Sequence, residues 1–274
     1  MLKRIITAVV GTIIFLPVLY YSDTYLFVGA ISVLSFVGCF ELMRCIGVYK
    51  KYSIAIPQYV ISAAMPFLIR LGGADFSWFK AAVFIHVVFI LYLLAVAVFS
   101  HGKIKAGQVA MSFALCLYIN VGFSSLILLR DYEEAGQYIF MLAFVGAWMT
   151  DIFAYFCGMA LGRHKLIPDV SPKKTVEGAV GGILFCAISY VIYGLIVSHF
   201  FDVELNIVAL GIFGIIISVV SQIGDLAASL IKREYEVKDY GSLFPGHGGV
   251  LDRFDSVLAV ASVLMVLIYS YNIV

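Results

Sequence analysis

Nine long apolar runs, near residues 5–21, 25–46, 53–71, 77–99, 107–129, 136–161, 177–200, 205–231 and 248–273, alternate with short polar breaks along the chain. A bilayer core takes about 20 mostly apolar residues per helix, and the runs are close to that length. In lipid every backbone polar group needs a partner inside the chain, so only helices and closed barrels can span. These runs are too long for barrel strands. The pattern predicts an all-α, polytopic integral membrane protein with about nine transmembrane helices. Most connections are short, but 162–176 and 232–247 are longer and collect glycine and proline. Residues 1–135 are expected to form N-terminal transmembrane helices that act as a scaffold or a dimer contact. Residues 136–274 are expected to form the C-terminal transmembrane helices, which carry both longer loops.

Composition agrees with lipid as the solvent: 63% of the 274 residues are hydrophobic and the mean hydropathy is +1.04, where a soluble domain is nearer half apolar. Charge placement says more than the formal net charge of +1. With the N-terminus inside, 15 of the 18 basic residues fall on the cytoplasmic side, from Lys3 and Arg4 through Lys50 and Lys51 to Arg253. Arg70, Lys80 and Arg130 lie outside, with Asp131, Glu133, Glu134, Asp202 and Glu204. This is the positive-inside pattern, and nine spans then place the C-terminus outside. Lys3-Arg4 and the apolar run behind them resemble a secretory signal, but no small-x-small cleavage site follows, so a retained first span is expected. Cys39, Cys45, Cys116, Cys157 and Cys186 lie in or beside apolar runs without ligand spacing and read as small buried hydrophobes.

Against a chain that is only 13% charged, Ser229–Asp255 holds nine charges in 27 residues: Lys232, Arg233, Glu234, Glu236, Lys238, Asp239, Asp252, Arg253 and Asp255. Ser221, Asp225, Ser229 and Lys232 recur at helical spacing and share one face of the eighth run. A carboxylate such as Asp225 is costly in a membrane helix unless it pairs or lines a polar cavity; the alternative to a ligand role is a salt bridge with Lys232 or Arg253. Asp252 and Asp255, three apart at the start of the ninth run, offer hard oxygen donors that suit Mg²⁺ with Asp225, or simply sit well against the helix dipole. Pro245-Gly246-His247-Gly248-Gly249 leads into that helix and can bring backbone N–H groups to a phosphate. His247 either donates to phosphate, acts as acid–base, or fixes the loop. Ser171-Pro172-Lys173-Lys174-Thr175 adds two point charges suited to a triphosphate, or two topogenic inside charges. Thr175 or Ser171 is expected to cap the following helix, with Glu177 in its first turn. Asp151 is expected buried and facing the bundle interior, where it orients the lysine loop or belongs to a substrate cavity. Glu41 and Arg44, three apart, are expected to pair with each other.

The run Ser229-x-Ile231-Lys232-Arg233-x₄-Lys238-Asp239-x-Gly241-x₂-Phe244-Pro245-x-His247-Gly248-Gly249-Val250-x-Asp252-Arg253-Phe254-Asp255 resembles the full signature of phosphatidate cytidylyltransferases (CDP-diacylglycerol synthases). Asp151-x₂-Ala154-Tyr155 and Ser171-Pro172-Lys173-Lys174-Thr175-x-Glu177-Gly178 resemble the family's other landmarks. The resemblance spans about 145–256; the first 135 residues are similar only in being multi-span. Val176 stands where the family often has Trp, and Met159 where a basic residue is common.

The resemblance implies transfer of CMP from CTP to phosphatidic acid, giving CDP-diacylglycerol and pyrophosphate for phospholipid biosynthesis. It further implies Mg²⁺, an accompanying monovalent cation (K⁺), a homodimer, and the cell (inner) membrane with its lipids around the site. Nucleic acid is not an expected partner. Asp225 and Asp252, joined by Asp255, are the expected metal ligands. Lys238, Asp239, His247 and Arg253 complete the expected catalytic set, and Ser171, Lys173, Lys174, Lys232, Arg233, Gly248 and Gly249 the substrate contacts. Two alternatives stay open: a CTP-dependent enzyme with another lipid acceptor (an ether lipid, or a polyprenol kinase-like reaction), and an ion-coupled transporter.

Overall fold

The computed structural model describes residues 2–72, 76–201, 203–271 and 273, and the backbone alone at 2–6, 8 and 76–79. Asp202 and the side chains of Lys3 and Arg4, all expected to carry topological charge, lie outside the described residues. The chain is helical where the apolar runs predict it: α1 Leu2–Tyr20, α2 Tyr25–Cys45, α3 Tyr52–Gly72, α4 Phe76–Phe99 and α5 Ala106–Arg130. A short α6 Gly136–Ile139 leads into α7 Met141–Leu161, followed by α8 Val176–Phe200, α9 Ile207–Glu234 and α10 Leu251–Ser270. Among the described residues seven segments are long and apolar enough to cross a bilayer, α2 to α5, α6 with α7, α8 and α9. α1 contributes a shorter apolar stretch, Val9–Tyr20, and α10 opens on three charges, Asp252, Arg253 and Asp255. The chain is an integral membrane protein by this count. Exposed apolar side chains along α4, such as Phe84, Val87 and Leu91, suit lipid contact.

Three boundaries differ from the sequence reading. The stretch 162–176 is not an irregular loop but contains an antiparallel hairpin, β1 Lys165–Ile167 and β2 Ser171–Thr175, paired Lys165 to Thr175 and Ile167 to Ser171. α9 runs on to Glu234, so Lys232 and Arg233 stand in its last turn rather than in a loop, where cations suit the helix dipole. α10 starts at Leu251, not 248, because Gly248 takes φ +87° and breaks the helix before it begins.

The chain forms two compact units, Met1–Asp131 with Val237–Arg253, and Tyr132–Glu236 with Phe254–Val274. The segment 237–253 is grouped with the N-terminal helices.

In the first unit α2 packs on α3 and α5, burying Phe27, Met43, Phe123 and Leu126. Polar groups inside it pair across helices, as Gln58 Nε2 does with Ser112 Oγ at 3.1 Å. Arg70 pairs with Asp131 at 2.5 Å and Arg130 Nε donates to Ser22 Oγ at 2.7 Å, so two of the three cations expected outside have structural partners. Burial pushes the Asp131 carboxyl up, and Arg70 and Arg130 pull against it.

In the second unit α7, α8 and α9 pack together. Tyr190 OH donates to the Leu142 carbonyl at 2.7 Å, Thr150 Oγ1 to Ser218 Oγ at 2.9 Å, and Phe153 stacks on Phe185 with centroids 4.4 Å apart. None of the five cysteines forms a disulfide; Cys39, Cys116 and Cys186 are buried as expected, while Cys45 and Cys157 are half-buried.

Candidate functional site

In the second unit the hairpin is fixed at its base. Thr175 caps α8, its Oγ1 accepting the Gly178 N–H at 3.1 Å. Glu177 reaches back to accept the N–H groups of Arg163 and His164 at 3.1 and 3.2 Å and meets the His164 ring at 2.6 Å. A strand pair held this way presents its own side chains, and Ser171, Lys173 and Lys174 line a cavity of about 360 Å³ with Asp151 and Gln222. Asp151 is exposed toward this space, not buried in the bundle as expected.

Lys174 forms an ion pair with Asp225 of α9. The partner is neither Lys232 nor Arg253, the two cations offered as the alternative to a ligand role. Asp225 and Lys232 both act electrostatically on Asp255 at the start of α10. Gly224 permits this approach. A Cβ there would sit 2.7 Å from Ala259 Cβ and 3.1 Å from the Asp255 carbonyl oxygen. Gly224→Ala should therefore lower the thermal unfolding midpoint in detergent, through an overpacking cost of about 1–3 kcal/mol.

Ser221, one turn before Asp225, is fully buried with no hydrogen-bond partner for its hydroxyl. Two carboxylates and an unpartnered hydroxyl are hard oxygen donors, the type Mg²⁺ takes, and neither thiolate nor imidazole stands with them. No three His, Cys, Asp or Glu side chains converge among the described residues. A small divalent cation held by one or two carboxylates, with water and substrate phosphate completing its shell, fits such a donor set.

In the first unit the signature segment folds back on itself. Phe244 N–H donates to the Gly248 carbonyl at 2.9 Å and His247 N–H to the Phe244 carbonyl at 2.8 Å. The His247 backbone thus fixes the loop, while its buried Nδ1 has no hydrogen-bond partner. Thr7 Oγ1 of α1 donates to the Pro245 carbonyl at 3.0 Å.

Asp252 is 8% exposed, and its Oδ2 accepts the N–H groups of Tyr240 at 2.8 Å and Gly249 at 2.9 Å. Glu41 accepts from Val250 N–H at 3.1 Å and Leu251 N–H at 3.0 Å. The expected phosphate cradle is thus partly filled by the chain's own acids: the N–H groups of Gly249, Val250 and Leu251 are already engaged. The expected Glu41–Arg44 pair is absent among the described ion pairs, because Glu41 turns to α10. Arg44 instead lines a cavity of about 410 Å³ with Lys238, Asp239, Tyr240 and Ser242.

Of the expected residues, the second unit gathers Ser171, Lys173, Lys174 and Asp225 at the hairpin, and Asp225 and Lys232 both act on Asp255. The first unit holds Lys238, Asp239, His247, Gly248, Gly249, Asp252 and Arg253. Arg233 and Arg253 are exposed. From sequence Glu41 and Arg44 read only as a local pair, and the sequence does not point to the contact of Glu41 with α10. Their one signal was an acid inside an apolar run, which local spacing explained too cheaply.

Residues 2–271 match the model of the cytidylyltransferase family. The chain is 35% identical over 266 residues to a phosphatidate cytidylyltransferase of Staphylococcus saprophyticus, covering 97% of this chain and 98% of the relative. It is 34% identical to the protein of that name from Staphylococcus haemolyticus over the same shares. The counterpart from Staphylococcus aureus is 33% identical over 267 residues, again covering 97% and 98%. The similarity includes the N-terminal helices, beyond the motif region.

Proposed function

The chain belongs to the cytidylyltransferase family, and on that premise we propose that it transfers CMP from CTP to phosphatidic acid, releasing pyrophosphate and forming CDP-diacylglycerol. The observation that carries this reading is the end-to-end similarity to relatives named phosphatidate cytidylyltransferase. The lysine hairpin beside its cavity supports it chemically. A phosphatidate oxygen, already anionic near neutral pH, attacks the α-phosphorus of CTP. The new P–O bond forms as the bond to the bridging oxygen breaks, and pyrophosphate carries away that electron pair. No protein nucleophile or strong base is needed, so catalysis is positioning and charge neutralisation.

Ser171, Lys173 and Lys174 bind phosphate oxygens in the hairpin cavity, and Lys174 ties that cavity to Asp225. Lys232, Arg233, Lys238 and Arg253 supply further positive charge to the triphosphate or the lipid headgroup. Asp239 orients Lys238, and His247 offers its free ring nitrogen to a phosphate. Gly248 and Gly249 shape the loop that meets the substrate. Asp225 and Asp252, with Asp255, are the ligands proposed for Mg²⁺ on the strength of the motif, and K⁺ is the proposed companion ion. When bound, Mg²⁺ supplies charge neutralisation at the reacting phosphates. The acyl chains stay in the bilayer, with the site on the cytoplasmic face of the cell membrane, where CTP is, and the protein acts as a homodimer.

Pyrophosphate release from CTP in detergent micelles tests the reading. Release is expected only when phosphatidic acid and Mg²⁺ are both present. Release with a polyprenol or an archaeal ether lipid, and none with phosphatidic acid, would reassign the acceptor. No release with any lipid would end the proposal.

A further inference from the structure

We propose that Glu41 is a positioning residue for the reaction: from α2 it holds the first turn of α10, and with it Asp252 and the loop 238–249, in working register. This rests on the function proposed above for that loop. Glu41 is 4% exposed between buried Leu42 and the α2 core. A carboxylate so placed in an apolar helix is expensive unless its oxygens are used.

Both oxygens are used. Oε1 accepts the Val250 N–H and Oε2 the Leu251 N–H. The first N–H groups of a helix have no partner within it, and its N-terminal end favours negative charge. Glu41 supplies both needs from 209 residues away.

The neighbours are cut to fit. A Cβ on Gly241 or Gly249 would collide with the Glu41 carboxyl group. At Gly38, one turn earlier on α2, a Cβ would lie 3.1 Å from Leu251 Cδ2, so α2 and the start of α10 touch closely. Asp252 follows Leu251 directly, and its Oδ2 takes the N–H groups of Tyr240 and Gly249. Two interlocked carboxylates thus tie three consecutive N–H groups, 249 to 251, so Glu41 and Asp252 brace the same short segment. Glu41 is buried with both oxygens engaged, so it acts through Asp252 and the loop. This gives the N-terminal helices a part in the chemistry beyond that of a lipid-facing scaffold.

Wild-type protein, Glu41→Gln and Glu41→Ala can be compared in detergent by amide hydrogen exchange and by kinetics with CTP and phosphatidic acid. In both variants, peptides within 238–253 should exchange about 10-fold faster or more, with other peptides within about twofold. The kcat should fall about 10-fold or more while KM for CTP stays within about threefold. Unchanged exchange in 238–253, or a kcat close to wild type, overturns the proposal. Faster exchange throughout the chain in both variants makes Glu41 a general folding residue and overturns it too. A wild-type protein that fails to use CTP with phosphatidic acid sinks the proposed function instead, and the exchange data then decide alone whether Glu41 holds the loop.

Discussion

Asp252→Asn should lower CTP-dependent turnover about 1,000-fold, ~4 kcal/mol of transition-state stabilisation, in a protein that still folds. The reason lies in what Asn keeps and what it loses. Asp252 Oδ2 accepts the Tyr240 and Gly249 N–H groups, and an amide oxygen can still accept both. The loop therefore survives, and the negative charge is gone. Asp252→Ala removes the acceptor as well and leaves two buried N–H groups unpaired, each costing about 1–3 kcal/mol. Its unfolding midpoint should fall well below that of the Asn variant at comparable activity. Near-wild-type turnover by Asp252→Asn in purified enzyme would show that the charge has no role in the chemistry. Equal stability of the two variants would mean the loop bonds contribute little.

Breaking the Lys174–Asp225 pair is expected to have the next largest effect. Lys174→Met should reduce turnover about 100-fold, ~2.7 kcal/mol, because it removes one of the two hairpin cations in the cavity. The stability loss should be smaller, about 1 kcal/mol, since the two side chains keep 23% and 27% exposure and water shares the solvation of both charges. Adding Asp225→Asn to Lys174→Met should restore the unfolding midpoint, because no unpaired carboxylate remains, but turnover should fall further. Kinetics and thermal unfolding of the two single variants and the double variant separate the roles. If the double variant recovers turnover, Lys174 serves only to neutralise Asp225 and has no part in binding substrate.

Both effects concern residues that the sequence made conspicuous, and the reason is physical. Acids and lysines in an apolar chain carry a desolvation cost that needs a return, so Asp225, Lys174 and Asp252 stand out without coordinates. Helices were equally legible, because lipid forces each long apolar run to satisfy its own backbone. The hairpin at 165–175 was not. Its strands are three and five residues long and hold no alternating apolar pattern, since they serve to present Ser171, Lys173 and Lys174. The start of α10 was misplaced for a similar reason. Val250 belongs to the apolar run, but Gly248 at φ +87° bars the helix from beginning there.

The partners of the conspicuous charges lay beyond sequence reasoning. Spacing of three on one helix suggested that Glu41 pairs with Arg44, whereas the carboxylate crosses to the N–H groups of Val250 and Leu251. Those donors directly follow the loop 245–249 whose N–H groups were expected to meet a phosphate. Local spacing shows which side chains can meet along one helix; it carries no term for a helix end arriving from 209 residues away.

By itself the sequence determined the membrane class, the position of the helices, and the chemical types available to the site, since these follow from solvation costs that each segment meets alone. Only tertiary structure decided that Lys174 neutralises Asp225, that Glu41 and Asp252 share out the N–H groups at the start of α10, and that 237–253 packs with the N-terminal helices. Those outcomes depend on which buried donors and acceptors come within hydrogen-bonding distance once the helices pack, and packing is a property of the whole chain.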